Sequence, residues 1–339
     1  LAFIADKDAD DVFELFVATP DGKKVTKINA PLVTGGAVLN FAWAPNGSRL
    51  AYRADQDTDN LMELYVASPD GKKRVKVSAP SIAAGDVIEM IWSPNGARLA
   101  YRADLETDQA YEISVATPDG KKNVKVSGPL VMGGQTLSWL WAANGARLLY
   151  VADQETDTLN ELFLSSADGK TKTKASGTLP PGGILSGYLW DKNSARYFYR
   201  AEQETNDVLE IFFSSVDGKK KGKVSGALVS GGNVEGFAVS PKGSRLAYRA
   251  DLETDNVFEL YVTDFDGTDA VKISSPLTAG GDVSTFRWHS KGKIVAYLAD
   301  QEVNDTLELF AAAADGSGAV KVSGPMAVGA PGVAGFELR

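Results

Sequence analysis

A step of 49 residues runs through the whole chain, and it excludes any fold that is not built from repeats. Glu14, Glu63, Glu112, Glu161, Glu210, Glu259 and Glu308 recur at that interval without slippage. So do the Asp-Gly pairs opening at Asp21, Asp70, Asp119, Asp168, Asp217, Asp266 and Asp315. Trp43, Trp92, Trp141 and Trp190 keep the step, and Trp288 lies two periods beyond Trp190. The copies are 1–49, 50–98, 99–147, 148–196, 197–245, 246–294 and 295–339, six of 49 residues and a seventh of 45.

Within residues 50–98, Leu50 to Ala54 is a short β-rich run ended by the polar cluster Asp55–Asn60. Leu61 to Ala67 is a second, closed by the turn residues Pro69-Asp70-Gly71. Val75 to Val77 is a third, and Val87 to Trp92 a fourth, ended by Ser93-Pro94-Asn95-Gly96. Four short strands per copy, punctuated by turns and free of helical periodicity, predict one propeller blade. A solenoid would need capping repeats, and neither end resembles one. In blade order the run like Val87–Trp92 comes first and the run like Leu50–Ala54 second, so the chain opens on a second-strand sequence, Leu1–Ala5, and finishes on a first-strand sequence, Val333–Leu338. The expectation is an all-β, seven-bladed β-propeller of four-stranded antiparallel blades, a single domain over 1–339. Pairing of the C-terminal strand with the N-terminal blade would close the ring and remove open sheet edges.

Composition narrows the chemistry. There is no cysteine, so disulfides, thiolate zinc sites and cysteine nucleophiles are excluded. A single histidine, His289, removes most histidine catalysis and histidine metal cages. With 35 basic and 44 acidic residues the formal net charge is −9, which argues against nucleic acid as a partner. No apolar run approaches the length of a transmembrane helix. The first residue is Leu rather than Met, so a processed or trimmed product is expected.

The run Ser93-Pro94-Asn95-Gly96-Ala97-Arg98-Leu99-Ala100-Tyr101 resembles the S-P-D-G-x-K/R-L-A-F/Y signature of TolB-like β-propeller repeats, and Ser240-Pro241-Lys242-Gly243-Ser244-Arg245-Leu246-Ala247-Tyr248 repeats it. Glu63-Leu64-Tyr65-Val66 followed by Asp70-Gly71 is similar to the family's E/Q-I/L-Y-V…D-G segment. Ala142-Ala143-Asn144-Gly145, Asp191-Lys192-Asn193-Ser194 and His289-Ser290-Lys291-Gly292 depart from the signature in its turn. The resemblance implies the propeller fold and an extracellular or periplasmic location. Such repeats occur in periplasmic partner-binding proteins and in gating domains of serine peptidases, so the resemblance does not settle an activity.

The richest chemistry lies in the hairpin between the second and third strands. Carboxylates at i, i+2 and i+4 recur as Asp6/Asp8/Asp10, Asp55/Asp57/Asp59, Asp104/Glu106/Asp108, Asp153/Glu155/Asp157 and Asp251/Glu253/Asp255. Glu202/Glu204/Asn206 and Asp300/Glu302/Asn304 are weaker copies. Alternate oxygens on a curled loop are candidate ligands for Ca²⁺, which takes about 6–8 of them. The competing reading is a solvated hairpin held by Asx turns. It gains weight because the glycine of an EF-hand loop is replaced by Asp11, Asn60, Gln109, Thr158, Asp207, Asn256 or Asp305.

Each Glu of the 49-residue series falls inside a strand, where an acid needs a partner. Arg53, Arg102, Arg200 and Arg249 on the neighbouring strand are candidate partners in four copies, leaving Glu14, Glu161 and Glu308 without one. Phe41, Met90, Trp139, Tyr188, Phe237, Phe286 and Phe336 are expected to pack between blades. His289 has no G-x-S-x-G elbow beside it, and a surface role is expected. The pairs Gly35-Gly36, Gly133-Gly134, Gly231-Gly232 and Gly280-Gly281 are read as blade connections. Lys23-Lys24, Lys72-Lys73-Arg74, Lys121-Lys122 and Lys219-Lys220-Lys221 follow Asp-Gly turns, predicting a basic rim opposite the acidic hairpins.

The expected function is a non-enzymatic exported binding or assembly scaffold with no catalytic residue and no required cofactor. Calcium at the acidic hairpins, and a protein partner or self-association, belong to that reading. The alternatives are a structural subunit that stacks through oppositely charged faces, and a substrate-gating propeller domain of a larger hydrolase.

Overall fold

A computed structural model describes residues 1–327 and 329–338. Among them every regular element is a strand, arranged in seven antiparallel sheets in chain order. Sheet 2 is representative, with first to fourth strands Val38–Trp43, Leu50–Ala54, Glu63–Ala67 and Arg74–Lys76. Sheet 1 has three strands, Ala2–Ala5, Glu14–Ala18 and Val25–Lys27, equivalent to the second, third and fourth of the others. This is the blade pattern of a seven-bladed β-propeller. The chain divides into two compact units, Leu1–Ala175 with sheets 1–4 and Ser176–Arg339 with sheets 5–7.

The strands form where the sequence alternates least. Leu50–Ala54 and Glu63–Ala67 are buried at every residue, so both faces of the sheet are covered and apolar side chains are needed on each. Within each unit the core therefore sits between successive sheets. Leu64 and Val66 of sheet 2 pack with Val87, Leu99 and Tyr101 of sheet 3, and Ile113 and Val115 of sheet 3 pack with Trp139, Leu148 and Tyr150 of sheet 4. In the second unit Phe198 and Ile211 of sheet 5 meet Val234 and Leu246 of sheet 6. Each such side chain contributes about 1.5–3 kcal/mol when fully buried. The expected aromatic filling is present in these layers: Phe41, Met90, Trp139, Phe237 and Phe286 all pack against inter-sheet clusters.

First strands are the irregular ones. Each of the six carries a register shift two residues in, as between Val38 and Asn40, a bulge that bends the strand as it enters the sheet. They are also tied to their neighbours. The Trp92 indole N–H donates to Ala42 O (3.1 Å), Trp141 to Ile91 O (3.1 Å) and Trp288 to Ala238 O (3.0 Å).

The expected closing strand is not among the ladders of the described residues, since sheet 1 has three strands and residues 333–338 form none. The segment does begin as a first strand would. Val333 N–H bonds Leu307 O at 2.7 Å, the counterpart of Val38 to Phe13 O (2.8 Å) and Val87 to Met62 O (2.9 Å). Beyond it, Ala334 and Gly335 offer little side chain for a strand to pack.

Candidate functional site: clamped hairpins and the first-strand face

The three acids of each hairpin have separate tasks. The first is buried and accepts backbone N–H bonds from two loops. Asp104 takes Asp86 N–H (2.6 Å) and Gln109 N–H (2.9 Å), Asp153 takes Gln135 (2.6 Å) and Thr158 (3.1 Å), and Asp55 takes Ala37 (2.6 Å) and Asn60 (3.2 Å). Asp251 and Asp300 repeat the pattern, and Glu202 keeps one such bond, from Ile184 N–H at 3.3 Å. These carboxylates pin the hairpin to the loop that enters the same sheet. Asp6, by contrast, is exposed.

The second acid pairs with a lysine on the fourth strand in every copy. The distances are Asp8–Lys27 2.9 Å, Asp57–Lys76 3.2 Å, Glu106–Lys125 2.8 Å, Glu155–Lys174 3.1 Å, Glu204–Lys223 2.9 Å, Glu253–Lys272 2.8 Å and Glu302–Lys321 2.9 Å. The same ammonium reaches the strand glutamate: Glu14 at 2.9 Å, Glu63 at 2.6 Å, Glu112 at 3.0 Å, Glu161 at 2.5 Å, Glu210 at 2.8 Å, Glu259 at 2.9 Å, and Glu308. One lysine thus bridges two carboxylates seven times over. All seven lysines are held above the usual ammonium value. Glu14 leads that effect at Lys27, and at Lys76 burial opposes it but Glu63 and Asp57 outweigh burial.

The third acid lies over the connecting loop. A Cβ on Gly35 would come within 2.6 Å of Asp59 Oδ1, one on Gly231 within 2.7 Å of Asp255 Oδ1, and one on Gly133 within 3.0 Å of Asp157 Oδ1. The second glycine of the pair is crowded by backbone, since a Cβ on Gly134 would sit 2.6 Å from Asp153 O. Hence the paired glycines, which are connections as expected. The residue after the third acid takes a positive φ without being glycine, from 58° at Asp11 to 67° at Thr158.

Calcium at a hairpin would draw its three acids toward one point. Among the described residues no group of three or more acidic or histidine side chains is placed to hold a metal ion. Asp10 is an exposed turn residue, and Asp157 is exposed above Gly133. Neither Asp10 nor Asp157 belongs to such a group. The same holds for their hairpin mates Asp6, Asp8, Asp153 and Glu155, and for Asp55, Asp57 and Asp59. It holds equally for Asp104, Glu106 and Asp108, and for Asp251, Glu253 and Asp255. The physical reason is the division of labour: the first acid turns inward to amides, the second to lysine, and the third toward the connecting loop.

Arginine is not the partner of the strand glutamates. In the ladder Arg53 faces Leu64 while Glu63 faces Ala54, so the two side chains point to opposite faces of the sheet. The arginines instead reach the next sheet. Arg102 donates to Thr136 O (2.8 Å) and Leu137 O (2.9 Å), Arg200 to Val234 O (2.8 Å) and Arg249 to Val283 O (2.6 Å). The true partner was legible: Lys27, Lys76, Lys125, Lys174, Lys223, Lys272 and Lys321 keep the same 49-residue step.

Hydroxyls complete the buried polar set. Tyr65 donates to Glu63 Oε2 (2.7 Å) and Tyr261 to Glu259 Oε2 (2.8 Å). Burial, then the Glu63 carboxylate, pushes the Tyr65 phenol up. Tyr150 accepts Gly128 N–H (3.0 Å) and donates to Gln154 Oε1 (2.9 Å), and burial pushes its phenol up to about 12. His289 serves its own turn, its Nδ1 accepting Lys291 N–H at 3.2 Å. At the Asp-Gly turns, Lys23, Lys121, Lys170 and Lys219 lie 3.5–3.9 Å from the aspartates of their own turns, which partly neutralises the basic rim.

The copies diverge on the first strands. Leu39, Ile91, Leu137 and Leu140 are exposed, and Ile88 is half-buried. At the equivalents of Leu39 the second unit has Ser186, Glu235 and Ser284, and at the equivalents of Ile91 it has Leu189, Ala238 and Arg287. Sheets 2–4 thus present an apolar face that sheets 5–7 largely replace with polar side chains.

The class these features define is a propeller-type repeat protein, all-β and without a helix among the described residues that could span a membrane. No family model and no curated protein sequence matches the chain. Solved structures do. Porphyromonas gingivalis dipeptidyl peptidase 4 superposes with a TM-score of 0.59 at 12% identity, over 91% of this chain and 51% of that one. A prolyl endopeptidase gives 0.50 at 15%, over 95% and 46%. A TolB candidate from Agrobacterium tumefaciens gives 0.41 at 16%, over 74% and 83%. Such identities speak to fold alone. The chain spans about half the length of the two peptidases.

Proposed function

We propose that the chain is a non-enzymatic binding scaffold acting outside the cytoplasm, and that it takes a protein partner on the first strands of sheets 2–4. The observation that carries this reading is the apolar set Leu39, Ile88, Ile91, Leu137 and Leu140, placed where later copies carry Ser186, Glu235, Ser284 and Arg287 at four of six positions and keep Leu189 and Ala238 at the other two. Exposed apolar side chains that contribute to no core mark interaction surfaces when they cluster. The indoles of Trp92 and Trp141 hold the three strands side by side. The location rests on the resemblance to TolB-like repeats.

The test borrows the protein's own alternatives. A Leu39→Ser, Ile91→Arg, Leu137→Ser variant installs residue types that sheets 5–7 already tolerate, so stability should move by no more than about 0.5 kcal/mol. Displayed peptides selected on the parent should be rich in apolar residues and should not bind the variant. Retained binding would move the contact surface elsewhere. A peptide and ester panel should show no turnover that follows the purified protein.

A second reading, a substrate-gating domain of a larger hydrolase, is favoured by the two peptidase structures of which this chain spans about half. A nucleophile motif encoded in the same reading frame would establish it.

A further inference from the structure

Six of the seven sheets stack an aromatic ring of the third strand on one of the second: Phe3–Phe16, Tyr52–Tyr65, Tyr150–Phe163, Tyr199–Phe212, Tyr248–Tyr261 and Tyr297–Phe310, with centroids 5.2–5.6 Å apart. Sheet 3 breaks the series. Its second strand supplies Tyr101, but the residue opposite is Ser114. Beside Ser114 lies a cavity of about 150 Å³, bordered by Leu105, Glu106, Glu112, Asn123 and Lys125. A cavity of roughly that volume takes one benzene ring. It shares Glu106, Glu112 and Lys125 with a larger cleft of about 1140 Å³ that reaches Tyr111 and the exposed Met132, and the shared side chains give it an entrance.

Two other sheets show what the empty position would hold. Tyr65 and Tyr261 fill it with a phenol whose hydroxyl donates to Oε2 of the strand glutamate, leaving Oε1 to Lys76 and Lys272. In sheet 3 no hydroxyl arrives, and Lys125 straddles both Glu112 oxygens at 3.0 and 3.2 Å. The Glu112 side chain is 13% exposed, whereas the other six strand glutamates range from 2% to 9%. Ser114 is the small residue that opens the space, and Glu112 is the acceptor left uncovered by it.

We infer that sheet 3 binds one para-substituted phenol in this cavity, with the ring beside Ser114, the hydroxyl donating to Glu112, and the para substituent directed to the cleft. Free phenols and the tyrosine side chain of a peptide share this chemistry. The site is independent of the first-strand face and would stand if that reading failed.

Calorimetric titration with p-cresol, N-acetyl-tyrosinamide and toluene tests it. One saturable site is expected for the phenols, with toluene about tenfold weaker because it has no hydroxyl to donate to the Glu112 carboxylate. Tighter binding of N-acetyl-tyrosinamide would identify a peptide side chain as the natural occupant, and equal affinity would favour free phenols. Ser114→Tyr supplies the repeat's own ring, so it should raise the melting temperature and abolish binding. Glu112→Gln keeps the cavity and removes the charge, so it should weaken p-cresol several-fold and leave toluene unchanged, and it serves even if Ser114→Tyr fails to fold. The proposal is overturned by no binding at millimolar ligand, by equal affinity for p-cresol and toluene, or by a folded Ser114→Tyr protein that still binds.

Discussion

The hairpin end of each sheet and its first strand are built by opposite rules. At the hairpin the same lysine bridges the same two carboxylates in all seven sheets, and a buried first acid is tied to backbone in six. On the first strands the equivalent position runs from Leu39 through the half-buried Ile88 and Leu137 to Ser186, Glu235 and Ser284. A feature that every copy needs is holding the copy together. A feature that only some copies carry is free to bind, and the ring missing at Ser114 belongs to that second class.

The largest effect should come from the first acid. Asp153→Ala leaves the part-buried amides of Gln135 and Thr158 without their acceptor and should cost about 3 kcal/mol in denaturant unfolding. A loss below about 1 kcal/mol would mean that the hairpin is held by something else.

Lys174→Met should cost about 2 kcal/mol, because Glu161 is 2% exposed and loses its counter-charge, while the lysine itself is 26% exposed and partly screened. The pH dependence sharpens this. The lysine values are raised on folding, so their contribution is complete below about pH 10.4 and is lost as pH rises through the folded values. Parent stability should therefore fall steeply above that pH, and the variant's less so.

A smaller gain is expected at sheet 7. There Glu308 Oε2 is buried with no hydrogen-bond partner, and the residue two positions on is Phe310, not the tyrosine of sheets 2 and 6. Phe310→Tyr should supply the donor and add about 1 kcal/mol. No gain would show that the hydroxyls of Tyr65 and Tyr261 are incidental.

The smallest effect is the one expected of calcium. With lysine already between the carboxylates, millimolar Ca²⁺ should leave the melting temperature where EDTA leaves it. A calcium-specific rise would show that the cation displaces the clamp.

Much of the fold could be read from the 49-residue step, including Leu50–Ala54 and Val87–Trp92 to the residue. The third strand begins at Glu63 rather than Leu61, because Leu61 N–H bonds Thr58 O in the turn. The site was harder for a physical reason. Sequence places Arg53 on the strand beside Glu63, but strand residues alternate faces, and one position of register put the arginine on the wrong side. Lys76 faces Tyr65, two residues from Glu63 and therefore on the same face as it, but that pairing follows only from the register of the fourth strand. Spacing misled at the hairpins too. Asp153, Glu155 and Asp157 sit two residues apart in sequence, yet the loop turns the first inward and leaves Asp157 exposed. The cavity at Ser114 left a trace in the sequence, one serine among six aromatics, which gains meaning once the ring stack is seen.

The indole that reaches back to the preceding sheet has a mechanical consequence. In a repeat array stability is nearly a sum of what each copy supplies and what each joint supplies. Trp92, Trp141 and Trp288 add a bond at their joints, whereas the same position in sheet 6 is Val239, which has no N–H to offer. The joint between sheets 5 and 6 keeps the Arg200 bond but lacks the indole's, and under load or heat the second unit should part there first.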